Sequence, residues 1–407
     1  MDSMKSQLIK RIALRNYKSV AACRLDLPNM AFLVGPNGSG KSNFLDVFRF
    51  VSDSLRTSVD HALRERGTIK EVRRRSGGHP NHFSIRLDFE LPKGKYGYLG
   101  FRIGAKPNGG FEVQTEECRI YDRSDELRQS HYYLVESGKL IQSSKALMPA
   151  ALSDRLFLVA TSGIPEFRPI FDALSSIEVY NLNPSEIAAM QKPDPGELLR
   201  RDGSNLASVL SQLSPEFQKH INRYLSRIVS GLSGAETKTL GSLETIEFRQ
   251  AVKGQSHPWR FLASSMSDGT LRALGVLVAI FQGLRKNDTI PLLVGLEEPE
   301  MALHPAAAGV LLGALREASS HTQILITSHS PDLLDDEDLL PESIFAVENT
   351  DGITRIAGID EAGRQMVKDK LFTPGELLRK NQLSADELAL KDLSDGGQLK
   401  LFELNGN

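Results

Sequence analysis

Phe32-Leu33-Val34-Gly35-Pro36-Asn37-Gly38-Ser39-Gly40-Lys41-Ser42-Asn43 reads as a buried strand that runs into a glycine-rich turn and opens a helix. Gly35, Gly40, Lys41 and Ser42 meet the G-x-x-x-x-G-K-[ST] spacing of a phosphate loop. Glycines let successive backbone N–H groups converge on phosphate oxygens with no Cβ in the way, and the helix start adds partial positive charge. Lys41 is placed to reach the β- and γ-phosphates and the Ser42 hydroxyl to bind Mg²⁺. Gly35, Pro36, Asn37, Gly38, Ser39, Gly40, Lys41, Ser42 and Asn43 are therefore the expected nucleotide-binding set. The apolar helix Phe44-Leu45-Asp46-Val47-Phe48 supplies the context that makes the match specific.

A chain of 407 residues, 40% hydrophobic and 25% charged, has the composition of an ordinary globular protein with room for several lobes. Cys23 and Cys118 are its two cysteines and lack metal-ligand spacing, which argues against a disulfide framework or zinc site. The longest apolar run, Ala273 to Phe281, is too short to span a bilayer. Met1 to Lys10 is polar and shows no signal-peptide core, so no membrane association and a cytoplasmic location are expected. Charge is uneven: residues 1–100 carry 18 Lys/Arg against 9 Asp/Glu, and residues 291–407 carry 9 against 21. Such a basic first segment either meets nucleic acid or complements the acidic end within one fold.

Leu8–Leu14 and Val20–Leu27 are expected as strands, Met30–Val34 as the strand feeding the loop, and a helix from Lys41 to about Ser54. Arg56 to Pro80 reads as irregular and basic, with Arg73-Arg74-Arg75 near its end and Ser76-Gly77-Gly78 breaking it. Period-two alternation from Phe83 to Leu91, followed by Tyr96–Ile103, Phe111–Tyr121 and His131–Glu136, indicates an antiparallel sheet. Residues 147–233 turn helical, with starts near Ser185, Ser204 and Ser214-Pro215, and Thr245–Val252 returns to strand. Strand and helix then alternate from 264 to 348, as in a parallel sheet covered by helices.

Pro291-Leu292-Leu293-Val294-Gly295-Leu296-Glu297-Glu298-Pro299-Glu300 is an apolar strand delivering carboxylates at its C-terminal end, the ligand-binding edge of an open parallel sheet. Glu297 suits the metal side, and Glu298 suits orienting and deprotonating the attacking water. Ser267-Asp268-Gly269-Thr270 before an apolar helix makes a second surface for an anion, and His329 closes the strand Gln323–Thr327.

With these four motifs in this order, the chain resembles ABC-type ATPases, specifically the branch of RecF, SMC and overcoming-lysogenization-defect proteins and the bacterial predicted ATPases of AAA type. Ile12 to Ser19, the phosphate loop, and Glu297-Glu298-Pro299-Glu300 with Leu303-His304-Pro305 carry the likeness. It implies an α/β P-loop ABC-ATPase head with a parallel core sheet, an antiparallel β subdomain and an inserted helical lobe. The expected layout is an N-terminal ATPase lobe over 1–146, a mostly helical lobe over 147–262, the rest of the core over 263–358 and a helical tail over 359–407. The resemblance further implies ATP and Mg²⁺ as cofactors, Lys41, Glu298 and His329 as the catalytic set, and Ser42 with Glu297 at the metal. Ser267 and Gly269 would cap the ATP of a second copy in a head-to-head homodimer, compatible with a higher assembly. Tyr17 and Lys18 are placed near the base, and Gln142 is the candidate Mg²⁺-sensing glutamine. Asp268 and Thr270 stand where transporters have Gly and Gln, and position 297 is Glu rather than Asp, which points to slow or partner-dependent hydrolysis.

The leading functional expectation is an ATPase that dimerises around two ATP and regulates an effector in trans, a nuclease or toxin, in anti-phage defence. A RecF-like repair ATPase that binds DNA or RNA through Arg73, Arg74 and Arg75, and an ATP-locked scaffold, are the alternatives. The absence of sustained heptads argues against an SMC-length arm, and the acidic stretch 332–338 reads as a solvated helix and turn.

Overall fold

Two apolar runs, Met30–Val34 and Leu293–Glu297, have side chains buried on both faces, which suits strands at the centre of a helix-covered parallel sheet. The computed structural model describes residues 8–75, 80–123, 130–282, 291–394 and 399–403. The expected break at Ser76-Gly77-Gly78 and the first seven residues lie outside them.

The strands are β1 (Ile9–Tyr17), β2 (Val20–Asp26), β3 (Met30–Val34), β4 (His82–Glu90), β5 (Lys95–Ala105), β6 (Phe111–Asp122), β7 (Ser130–Glu136), β8 (Lys139–Ser143), β9 (Glu178–Tyr180), β10 (Leu232–Leu240), β11 (Leu243–Gln250), β12 (Trp259–Leu262), β13 (Leu293–Glu297), β14 (Gln323–Ser328), β15 (Ile344–Thr350) and β16 (Ile353–Gly358). The helices are α1 (Lys41–Arg56), α2 (Val59–Arg64), α3 (Ile69–Val72), α4 (Phe157–Thr161), α5 (Arg168–Ser175), α6 (Pro184–Ala188), α7 (Leu206–Gln212), α8 (Pro215–Ile228), α9 (Asp268–Phe281), α10 (Pro305–Ala318), α11 (Glu361–Lys368), α12 (Pro374–Arg379) and α13 (Glu387–Ser394).

Thirteen strands form one mixed sheet in the order β8-β7-β6-β5-β4-β1-β2-β16-β15-β3-β14-β13-β9, and β10-β11-β12 form a small antiparallel sheet. The run β15-β3-β14-β13-β9 is parallel, and β8 through β2 is antiparallel. The antiparallel strands, expected as a sheet attached to the core, extend the nucleotide sheet edge to edge. The reason lies in β4, whose pattern is buried at five consecutive positions, so it behaves as an interior strand covered on both faces. The stretch 147–262, expected to be a mostly helical insertion, contributes β9 to the core sheet as well as the three-stranded sheet. Arg56 to Pro80, expected to be irregular, contains α2 and α3, whose Val59, Ala62, Leu63, Ile69 and Val72 pack into the core.

Helix α1 packs Phe44, Leu45, Val47, Phe48, Phe50 and Val51 against one face of the sheet, and α9 is buried from Gly269 to Phe281 on the other. Each such fully buried large apolar side chain stabilises by roughly 1.5–3 kcal/mol before entropy is subtracted. These two helices therefore hold the phosphate loop and the Ser267 turn in register with the sheet. At the far end, residues 399–403 lie on the antiparallel strands. Leu401 and Phe402 pack on Ala13, and Arg86 bonds Glu403 at 2.7 Å.

Candidate nucleotide site

Every parallel strand ends at the same edge, and the expected site residues follow those ends. Ser328 pairs with Val34, Thr327 with Glu297 and Leu296 with Tyr180, so Gly35, His329, Glu298 and Asn181 emerge side by side. The loop from Gly35 to Gly40 turns tightly because Gly38 and Gly40 take φ of 77° and 105°. A Cβ on Gly40 would meet Thr354 Oγ1 at 2.0 Å, and one on Gly35 would meet the Val347 carbonyl at 2.1 Å. Thr354 braces the turn by donating to the Ser39 carbonyl at 2.8 Å and contacting Ser19 Oγ at 2.7 Å. Asn43 Nδ2 donates to that same Ser19 hydroxyl. Pro36, Asn37 and Gly38 are exposed at the rim of the turn.

Lys41 is only 5% exposed, and its ammonium donates to the Gly35 and Pro36 carbonyls at 2.8 and 3.0 Å. Burial pushes Lys41 below the usual lysine value, with Glu298 and Glu300 pulling the other way. Glu298 Oε1 lies 3.9 Å from Lys41 Nζ and 3.3 Å from His329 Nδ1. The backbone of Glu298 is left-handed, at φ 44°, and its N–H donates to the Thr327 carbonyl. A non-glycine residue in that region costs on the order of 1–3 kcal/mol and is held by its surroundings, a pattern concentrated at functional sites. Glu297 accepts a hydrogen bond from Ser42, while burial holds its carboxyl above the ordinary range. Glu300 is raised in the same way and accepts from Ser328 Oγ at 2.6 Å.

This donor set fits Mg²⁺ and a triphosphate. Ser39 Oγ and Glu300 Oε2 are buried without a partner, Gly35 and Gly40 leave no room for a Cβ, and a hydroxyl beside a buried carboxylate is a hard-oxygen pair. The first turn of α1, a 16-residue helix, carries no acidic residue to oppose an anion.

Ser267 and Gly269 lie elsewhere. Ser267 is the N-cap of α9, with its hydroxyl 2.9 Å from Thr270 Oγ1. Thr270, the departure from the transporter pattern, therefore completes a local cap. A cavity of about 530 Å³ is lined by Ser267, Gly269 and Thr270 with Arg227, Ala302 and His304, and by no residue of the phosphate loop. Gly269 is packed so closely on the left-handed Ala302 that a Cβ would meet its carbonyl at 2.1 Å.

Three expected placements change. Tyr17 is fully buried, edge-on to Phe50 and Phe83, and its hydroxyl donates to Asp46 at 2.8 Å, so its ring cannot face a base. Lys18 pairs with the same Asp46. Gln142 is exposed on β8, first in a sheet order in which β3 stands tenth. The acidic stretch 332–338 is an anchoring patch: Arg379 of α12 holds Asp332 and Asp335, and Arg316 holds Asp336.

Sequence reading did not place Asn181 at this edge, because a three-residue strand inside a helical stretch gives almost no period to detect. It also passed over Arg272, the single charged residue within the apolar run of α9 after Asp268. Arg272 is 8% exposed, its Nε has no partner, and Glu298, Asp268 and Glu300 are its electrostatic neighbours.

The family described as "AAA domain, putative AbiEii toxin, Type IV TA system" matches residues 30–132 and 161–335, more than half of the chain. The chain is 31% identical over 128 residues to the chromosome partition protein Smc of Methanocaldococcus jannaschii, a match covering 31% of this chain and 9% of that protein. It is 22% identical over 418 residues to the "Retron Ec83 probable ATPase" of Escherichia coli, covering 89% of this chain and 75% of that one. Among solved structures, an SMC head bound to the C-terminal winged-helix domain of ScpA overlays with a TM-score of 0.53 at 13% identity, covering 87% of this chain and 99% of that one. A Pyrococcus furiosus Smc head with an extended coiled coil, bound to ScpA, gives 0.52 at 13% identity, covering 89% and 99%. Motif order, sheet topology and family match agree: the chain belongs to this AAA family and is an ABC-type ATPase of the RecF/SMC-like branch.

Proposed function

We propose that the protein binds ATP with Mg²⁺, closes into a head-to-head homodimer around two nucleotides, and uses slow hydrolysis to control an effector in trans. One observation carries the dimer. Lys41, Glu298 and His329 meet at one edge, while Ser267 and Gly269 line a separate cavity that no phosphate-loop residue enters. Each chain thus offers one face for phosphates and another free to cap a second copy's nucleotide. Ser42 and Glu297 would hold the metal, with Asn181 following the end of the neighbouring strand β9. When bound, Mg²⁺ neutralises phosphate charge and orients the transferring group.

Lys41 brings its positive charge to the β- and γ-phosphates, and the loop N–H groups fix the chain against them. Glu298 takes a proton from the attacking water, and His329 presents its imidazole to the γ-phosphate and to Glu298. The effector, a nuclease or toxin in anti-phage defence, is supported by the retron system named for the bacterial relative and by the toxin–antitoxin wording of the family. In the nucleic-acid alternative, Arg73 donates to the Pro80 carbonyl while Arg75 keeps only an exposed pair with Glu71, so salt-dependent binding to duplex DNA is the measurement that decides it.

The test compares wild type with Glu298→Gln by sedimentation and phosphate release, with and without ATP and Mg²⁺. A nucleotide-dependent dimer, accumulated by the variant, supports the reading. A monomer under every condition sinks it.

A further inference from the structure

The cavity at Ser267 has one full positive charge in its lining, Arg227, and the resemblance to known ATPases assigns that residue no role. Arg227 stands in the last turn of α8, exposed, with no hydrogen bond or ion pair to any carboxylate among the described residues. The turn that carries it is fixed. Tyr224 Oη donates to Glu317 of α10 at 2.6 Å, Leu225 and Ile228 are buried, and Tyr224 stacks on Phe281 of α9. Helix α8 is thereby clamped to the two helices whose starts bear Ser267 and His304. His304 spends its Nδ1 accepting from the Ala306 N–H at 3.2 Å, capping α10.

A nucleotide arriving at this face brings phosphate charge toward Ser267, where Asp268 already places an exposed carboxylate. Arg272 of the same helix already acts on Asp268 but is buried, so the exposed cation open to an arriving phosphate at this cavity is Arg227. We propose that Arg227 contacts the phosphates of ATP held by the phosphate loop of a second copy of this chain and is a trans-acting part of the composite site. The proposal rests on the dimer reading above. Its planar fork of donors suits phosphate oxygens better than a lysine would.

The test uses the full chain in a Glu298→Gln background, with Arg227→Gln, Arg227→Lys and Ser267→Arg compared. Two quantities are measured: binding of a fluorescent ATP analogue to dilute monomer, and the ATP-dependent dimer dissociation constant by sedimentation. Arg227→Gln should weaken the dimer about tenfold or more, as loss of one interfacial charge contact does, and leave monomer binding unchanged. Arg227→Lys should recover part of the loss. Weakened monomer binding in Arg227→Gln would mean the residue acts on its own nucleotide, and the proposal is overturned. A dimer untouched by Arg227→Gln but abolished by Ser267→Arg rejects Arg227 alone. Absence of any ATP-dependent dimer, or indifference to Ser267→Arg, rejects the dimer reading and this proposal with it.

Discussion

Glu298 and His329 follow the ends of two neighbouring parallel strands, and their side chains meet with Oε1 3.3 Å from Nδ1. Thirty residues, comprising α10, its flanking loops and β14 itself, separate them in sequence, so the contact exists only because β13 and β14 are in register. With Lys41 Nζ 3.9 Å away, one carboxylate lies near both a buried ammonium and an imidazole.

That position makes Glu298→Gln the most informative single change. The amide keeps the shape and loses the base, so turnover should fall by roughly 10²–10⁴-fold while nucleotide affinity stays near that of wild type. Single-turnover phosphate release beside equilibrium binding measures the two separately. Equal loss of both would mean Glu298 serves binding rather than proton transfer.

Gly40→Ala should be costly for two reasons that add. The backbone is left-handed at φ 105°, and the new Cβ falls 2.0 Å from Thr354 Oγ1. A loss of about 1–3 kcal/mol in stability is expected from the strain, with nucleotide affinity reduced as the loop opens. Thermal melts with and without ATP check this. In the double variant with Thr354→Ser, removal of the Thr354 methyl, which lies 2.8 Å from that Cβ, should recover part of the loss.

Tyr17→Phe separates a core role from a base-stacking one. The Asp46 carboxylate would lose the tyrosine donor yet keep Arg66 and Lys18, so a cost near 1 kcal/mol is expected. ATP affinity should not change. A selective loss of affinity without a change in melting temperature would return the ring to the nucleotide.

Glu300 sets a pH dependence. Burial raises its folded-state value above the ordinary 4.5, so the folded chain holds this proton more tightly than the unfolded chain. Its stability contribution is fully present below about 4.5 and is lost as pH rises through the raised value. Glu300→Gln, neutral at every pH, should gain on wild type as pH goes from 4.5 to 7.5 in nucleotide-free chemical denaturation. A constant offset would show that Glu300 titrates normally.

Much of the site could be read from the chain alone, and for a local reason. The phosphate loop and the acidic strand end are contiguous runs whose glycines, lysine and carboxylates act within a few residues of one another. Met30–Val34 and the start of α1 at Lys41 follow from the same apolar pattern. Tyr17 illustrates the limit: a tyrosine in a hairpin turn looks available, yet the packing of Phe50 and Phe83 closes over it.

By itself, the sequence determined that a strand, a glycine turn and a helix follow one another at phosphate-loop spacing and which strand ends carry the acids, because glycine geometry and hydrophobic periodicity are short-range properties. Only the tertiary structure decided what those pieces meet. Thr354 braces the Ser39 carbonyl from 315 positions away, β9 brings Asn181 to the edge from within a helical stretch, and the cavity at Ser267 gathers Arg227 away from the loop. Such long-range contacts depend on strand order and helix packing, which no local pattern encodes.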